Sequence, residues 1–276
     1  MKFVGLILAW ACERWIDLAI WQAECFCDEL MVSVGAHSEA MKEFEDSTED
    51  KCKKHHNVKM VPVEYKGTHS DTKAATMNKM LQESGIEEGG WVFLLDVDEF
   101  YQVDSVFRLK QQLMYSDYDH VRVEEKCFYI DMKHYLEGSH GRLWRYTSKQ
   151  DHFRPTNNWS GPKANQYVML RDDGMFHYTF LLNPLAKRAF WMSEYSQGQE
   201  HKVKWMDEIY IPFEIGNQEF WAKRNEDLFG LRSPWYNTDF RPNEDGTLFE
   251  YEGLHPEIIE LVKYPQVEDF RRWDCD

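Results

Sequence analysis

Apolar and polar positions alternate in blocks along the first hundred residues, and the blocks change period as they go. Phe3 to Ala9 is a continuous apolar run, the pattern of a strand buried on both faces. Glu13 to Cys25 follows with Ile16, Leu18, Ala19, Ile20 and Trp21 at helical spacing. Glu29 to Gly35 (ELMVSVG) predicts a second short strand, Ser38 to Cys52 a polar helix, and Val58 to Tyr65 (VKMVPVEY) a third strand. Asp71 to Ser84 predicts a helix carrying Ala74, Ala75, Met77, Met80 and Leu81, with Asp71 as its N-cap. Trp91 to Leu95 (WVFLL) is the fourth strand. Strand and helix in strict alternation imply an α/β fold, with a mostly parallel central sheet, right-handed crossovers and flanking helices.

The fourth strand ends unusually. Behind Gly89-Gly90, WVFLL runs directly into Asp96, Val97, Asp98, Glu99 and Phe100. Three acids in four residues at the tip of a buried strand repel one another unless solvent or a cation neutralises them. Hard oxygen ligands at this spacing suit Mg²⁺ or Mn²⁺, which share their remaining positions with water and phosphate oxygens. A solvated acidic turn is the competing reading. In parallel sheets ligands bind at the carboxyl ends of the strands, where Asp96 and Asp98 fall.

Composition narrows the partners. Of 276 residues, 48 are Asp or Glu and 32 are Lys or Arg, a formal charge of −16. That balance argues against a nucleic-acid surface, which needs a basic stripe. It also leaves the work of holding a phosphorylated ligand to a metal and a few local cations. The six cysteines form no CxxC pair and no zinc spacing, which reads as reduced thiols in a cytoplasmic protein. Lys2 followed by FVGLILAWA also has the outline of a short signal peptide, but the same run fits a first core strand. No stretch of eighteen apolar residues occurs, so no transmembrane helix is expected.

The order of a first strand, a helix, DELMVSVGA, a helix carrying Asn78, and FLLDVDEF resembles the GT-A fold of nucleotide-sugar glycosyltransferases. It is most similar to family-2-type enzymes whose DxD motif extends to DxDEF. The resemblance covers about Met1 to Phe100 and resumes at Met175 to Phe180 (MFHYTF), where a His of this segment returns to the metal in related enzymes; His177 stands there. HKVKWMDEIY (His201 to Tyr210) and Gly253 to Pro256 (GLHP) also look like segments of relatives. The resemblance implies a glycosyltransferase that moves a sugar from a metal-bound nucleoside-diphosphate sugar to a glycan or other hydroxyl acceptor, with an inverting outcome favoured. It implies Asp98 as direct ligand, Asp96 on the ribose or on the ion through water, and His177 as third ligand, in neutral form. Glu99 would orient neighbouring groups or the acceptor, or be the ligand itself if the turn is shifted. Lys73 and Asn78 would touch the nucleotide or brace the DxD loop, and Trp10 would border the base, though a core or lid role fits Trp10 equally. After the second strand, relatives place an acid that reads uracil; SVGAHSE has none in that place, so the base stays open.

An inverting transfer needs a general base. Asp151, with His152, is the candidate, and Asp131, Asp172, Asp173 and Glu200 are rivals. Val121 to Arg171 should build the acceptor side, beginning with the strand HVRVEEKCFYI and including a second, GRLWRYTS. Asn158-Trp-Ser160 matches a glycosylation acceptor that stays idle in a cytoplasmic protein. Lys202 and Lys204 lie in a locally basic stretch and could pair with the diphosphate if it closes over the donor. Residues 1–214 are expected to form the catalytic domain. Residues 215–276 are expected to form an irregular extension packed on it, with one helical stretch from Pro256 to Tyr264. Two other readings remain: a sugar nucleotidyltransferase, against which LAWACERWID lacks a Gly-rich triphosphate loop, and a silent sugar-binding or scaffold protein that retains the fold. Oligomeric state is not legible.

Overall fold

The computed structural model describes residues 1–44, 46–128, 133–148, 153, 167–178, 204, 207–208 and 249–261. Among these, β1 (Phe3–Ala9), β2 (Glu29–Val34), β3 (Val58–Met60) and β4 (Trp91–Leu95) form a wholly parallel half-sheet in the order β3-β2-β1-β4. Beyond β4 the sheet becomes mixed. β4 pairs antiparallel with β7 (His134–Arg145), which pairs with β6 (His120–Phe128); β6 runs parallel to β8 (Tyr167–His177), and the two-residue β5 (Glu99–Phe100) closes that edge against β8. The expected α/β architecture, with helices flanking a central sheet, is the observed one.

β1 shows why the apolar runs are continuous. Its Phe3, Ile7 and Ala9 pack against α1 (Ile16–Phe26) and α4 (Val103–Met114), while Val4 and Leu6 pack on the opposite side with Met77, Met80 and Leu81 of α3 (His69–Ser84). With both faces covered, every position of the strand is apolar.

Three boundaries depart from the sequence reading. Ser38–Cys52 is not one helix but a 3-10 turn (Glu39–Phe44) followed by the short α2 (Thr48–Cys52). Asp46 interrupts it: its carboxylate accepts the Thr48 amide at 2.9 Å and the Glu13 amide at 3.1 Å, and so competes with helical bonding. The third strand stops at Met60, well short of Tyr65, because Pro62 has no N–H to continue the ladder. Asp71 is not the N-cap of α3. Thr68 is: its hydroxyl oxygen accepts the Asp71 amide at 3.1 Å, and the Asp71 carboxylate accepts the Thr68 hydroxyl at 2.6 Å. Gly85 then ends the helix in the left-handed region, φ +60°.

Near the other end of the chain, β9 (Phe249–Glu250) pairs with β7, and α5 (Glu257–Leu261) follows. Phe249, Tyr251, Ile258 and Ile259 pack with Trp15, Phe100, Phe128, Phe176 and Tyr178 in one aromatic-rich cluster. The expected division between residues 214 and 215 lies outside the described residues.

Candidate active site at the carboxyl end of β4

Ile7 of β1 is level with Leu95 of β4, so the chain leaves the sheet at Asp96 directly beside the end of β1. The Glu99 amide donates to the Asp96 carbonyl at 3.2 Å, closing a tight turn, and β5 begins at once. Gln22 of α1 holds that strand from below. Its amide nitrogen donates to the Glu99 carbonyl at 3.0 Å, and its oxygen accepts the Tyr101 amide at 2.6 Å. From the other side the Tyr178 amide donates to the Asp98 carbonyl at 2.8 Å, which fixes the acidic turn to the end of β8.

That tie brings two expected ligands together. Glu99 pairs with His177 across the β5–β8 ladder, and His177 Nε2 faces Asp98 Oδ2 at 3.4 Å. His177 Nδ1 points inward onto Glu125 Oε1, and the second oxygen of Glu125 meets His140 Nδ1. Burial alone would raise the Glu125 carboxyl, but His140 and His177 hold it well below the usual range. An ionised carboxylate only accepts, so both rings present an Nδ1–H to it. Burial alone would push His177 down; Glu125 and Asp98 on either side carry it well above an ordinary histidine.

Asp96 turns the other way. Arg142 of β7 donates to its Oδ2 at 3.3 Å and also grips Glu99. Burial alone would raise the Asp96 carboxyl, but Arg142 and then Lys73 hold it low. Asp96 keeps 33% of its side chain exposed while Glu99 has none. Glu99 and Asp96 thus share one guanidinium, that of Arg142.

The rim is set by β1, β2 and α3. Trp10 donates its indole N–H to the Met41 carbonyl at 3.0 Å and packs edge-on against Phe44, so the 3-10 turn holds its ring. Ala11 beside it has φ +48°, a conformation a non-glycine residue adopts at some cost. Asn78 spends both amide atoms on the backbone of Phe153, at 2.9 and 3.0 Å, and so braces the neighbouring segment rather than the acidic turn. Lys204 lies 3.9 Å from Glu208 one helical turn away. Asp131, Asp151, His152, Glu200 and Lys202 lie outside the described residues, as do the side chains of Asp172 and Asp173.

His37 and His69 stack edge-on at 5.3 Å beneath this rim, both buried. Burial, then Lys73, lowers His37 to about 4; burial, then His37 and Lys73, lowers His69 to about 3. Each is neutral when folded and charges only in the unfolded chain as pH falls below about 6.5. Their contribution to stability is complete above that pH. It is lost as pH drops toward 4, and midway through that range unfolding takes up about two additional protons. The melting temperature should therefore fall steeply between pH 6.5 and 4, and less steeply in His37→Phe; equal slopes would dismiss the histidines as the cause.

Arg142, Glu125 and His140 were not anticipated. One signal was available: alternation along HVRVEEKCF puts Glu125 on the same face as Val121, Val123 and Cys127. An acid on a core face needs partners. Among the described residues, Glu125, Cys127 and His177 are the group of potential ligands whose atoms all lie within 4.8 Å of one another. Asp96 and Asp98 diverge instead, one toward Arg142 and the other toward His177.

No protein-family model matches the chain, and no curated protein sequence is significantly similar to it. Among solved structures, it resembles that of S. aureus TarS 1-349, at 10% identity and a TM-score of 0.42, over 83% of this chain and 80% of that one. A longer S. aureus TarS structure gives 10% identity and a TM-score of 0.41, over 83% of this chain and 48% of that one, so this chain spans about half of it. A 4-diphosphocytidyl-2C-methyl-D-erythritol synthase matches at 14% identity and a TM-score of 0.34, over 65% of this chain and 75% of that one. The described cysteines (12, 25, 27, 52 and 127) are all free, and no helix of the described residues is long and apolar enough to cross a membrane.

Proposed function

We propose that the chain is a metal-dependent glycosyltransferase of the GT-A type, using a nucleoside-diphosphate sugar and a hydroxyl acceptor. The observation that carries this reading is the pairing of Asp98 with His177. A parallel strand delivers an acid to its carboxyl end, and a strand from far along the chain returns an imidazole nitrogen to face it at 3.4 Å. The proposed Mn²⁺ or Mg²⁺ would meet a carboxylate and an imidazole that face each other, with a second, partly exposed carboxylate in the same turn directed at Arg142. The ion would supply positive charge against the departing diphosphate.

The remaining work falls to the chain itself. Asp98 and His177 would hold the ion, His177 releasing its Nε2 proton to do so. Asp96, turned by Arg142, would meet the donor's ribose. Lys73, already close enough to lower Asp96, would add local positive charge near the phosphates. Trp10 would border the base. Asp151 remains the proposed base for an inverting transfer, and Lys202 and Lys204 the proposed partners of the diphosphate on closure.

Melting curves with nucleoside diphosphates and nucleotide sugars, each with Mn²⁺ and with EDTA, test this reading. A ligand that binds only the folded state raises the melting temperature by mass action. The expected result is a rise of several degrees with one nucleotide, seen only with metal. No rise at millimolar ligand would favour the silent-scaffold reading. Turnover of a nucleoside triphosphate with a sugar phosphate would replace the transferase by a nucleotidyltransferase.

A further inference from the structure

We infer that Glu125, braced by His140, is a positioning residue that locks the His177 ring with Nδ1 inward and Nε2 toward Asp98. This rests on the reading of His177 as a metal ligand and deepens it.

Packing does not account for Glu125. It sits on the core face of β6 with almost no exposure, in a position that alternation would otherwise give to a Val or Cys. A buried carboxylate is costly unless paired. Here each oxygen has its own imidazole, and the two differ in what lies beyond them. His140 is part-exposed, whereas His177 is largely buried and continues to Asp98.

The backbone is shaped to hold this line. Between β6 and β8 the register slips, with the six residues from Leu170 to Met175 set against the three from Val123 to Glu125. Only then does His177 stand level with Cys127 and next to Glu125. Gly174 makes the slip possible: a Cβ there would lie 2.5 Å from the Glu124 carbonyl oxygen. The bulge therefore sets which residue of β8 meets the carboxylate.

The chemical consequence is specific. An imidazole that donates Nδ1–H to a carboxylate has a single lone pair available, on Nε2, and the carboxylate behind it strengthens that nitrogen as a ligand. Without Glu125 the ring is free to present either nitrogen and either rotamer. His140 on the second oxygen keeps the carboxylate from turning away. Cys127, although near, is not needed for this; direct contact between Glu125 and His177 Nδ1 leaves no space for an ion between them.

The test is Mn²⁺ affinity, measured from the electron-paramagnetic-resonance signal of free Mn²⁺ on the wild type, Glu125→Gln and His177→Ala. Glu125→Gln is expected to weaken Mn²⁺ binding about 10- to 100-fold. Equal affinity in Glu125→Gln, with binding lost in His177→Ala, would overturn the positioning role and leave the metal reading intact. Wild-type affinity in His177→Ala would overturn both. Should Glu125→Gln fail to fold by circular dichroism, the wild type decides by itself. In ¹⁵N-histidine spectra, assigned with His177→Gln, substoichiometric Mn²⁺ should broaden His177 Nε2 more than Nδ1, which keeps its proton. Stronger broadening at Nδ1 would place the ion among Glu125, Cys127 and His177 and overturn the inference.

Discussion

Asp98→Ala is expected to abolish the metal-dependent melting shift and lower sugar transfer by about 10³-fold, the scale of losing one preorganised charge contact to a developing anion. The variant should still fold. Its side chain is largely buried, but His177, which it faces, keeps Glu125 on the other ring nitrogen. Only one of the two contacts that hold the imidazolium is lost, a cost of about 1–2 kcal/mol. The absolute melting temperature will therefore fall a few degrees in any case. What decides is the difference between Mn²⁺ and EDTA at saturating nucleotide. A difference equal to that of the wild type would remove Asp98 from the site.

Asp96→Ala should behave differently, because the two acids of the motif face different partners. Asp96 leans on Arg142 and feels Lys73, so its loss should weaken the nucleotide more than the metal. Apart from the resemblance, nothing in the sequence distinguishes Asp96 from Asp98, two residues further on. Their divergence comes from the turn, which the Glu99 amide and the Tyr178 amide pin at the Asp96 and Asp98 carbonyls.

What could be read in advance follows physical lines. β1 and β4 were legible to the residue because strands covered on both faces are continuous apolar runs. α1 and α3 were legible from period. Ser38–Cys52 was not, because a single side chain, Asp46, captures the Thr48 amide and ties the segment to the Glu13 amide. The meeting of Asp98 with His177 was anticipated only through the resemblance; nothing local to either residue shows it. Glu125, His140 and Arg142 escaped for the same reason. Their partners stand 52, 15 and 43 residues away, and a charged residue announces its partner only once the sheet order is known. Antiparallel pairing of β4 with β7, then β7 with β6, was not implied by the alternating βα pattern, and that pairing places Arg142 beside Glu99.

Arg142→Met should be the most destabilising single change at the site. Glu99 is fully buried, and burial pushes its carboxyl above the ordinary range; the guanidinium of Arg142 opposes that rise. Removing one partner of a buried pair leaves an uncompensated charge and costs about 3–5 kcal/mol. For a domain of this size that is a fall of about 10 °C in melting temperature. With its carboxyl pushed up to about 8 even beside Arg142, Glu99 must take up a proton when the variant folds, so the loss should ease as pH falls toward the ordinary carboxylate range. It should also be partly repaired by Glu99→Gln in the same chain, because buried pairs replaced by neutral residues of similar volume often come close to neutral. Such a double variant separates stability from function: the fold returns, while Asp96, now without its guanidinium, should still bind the nucleotide poorly. If Arg142→Met melts within 2 °C of the wild type, the Glu99–Arg142 pair is not what holds the acidic turn, and Gln22, bonded to the backbone on either side of Phe100, becomes its principal anchor.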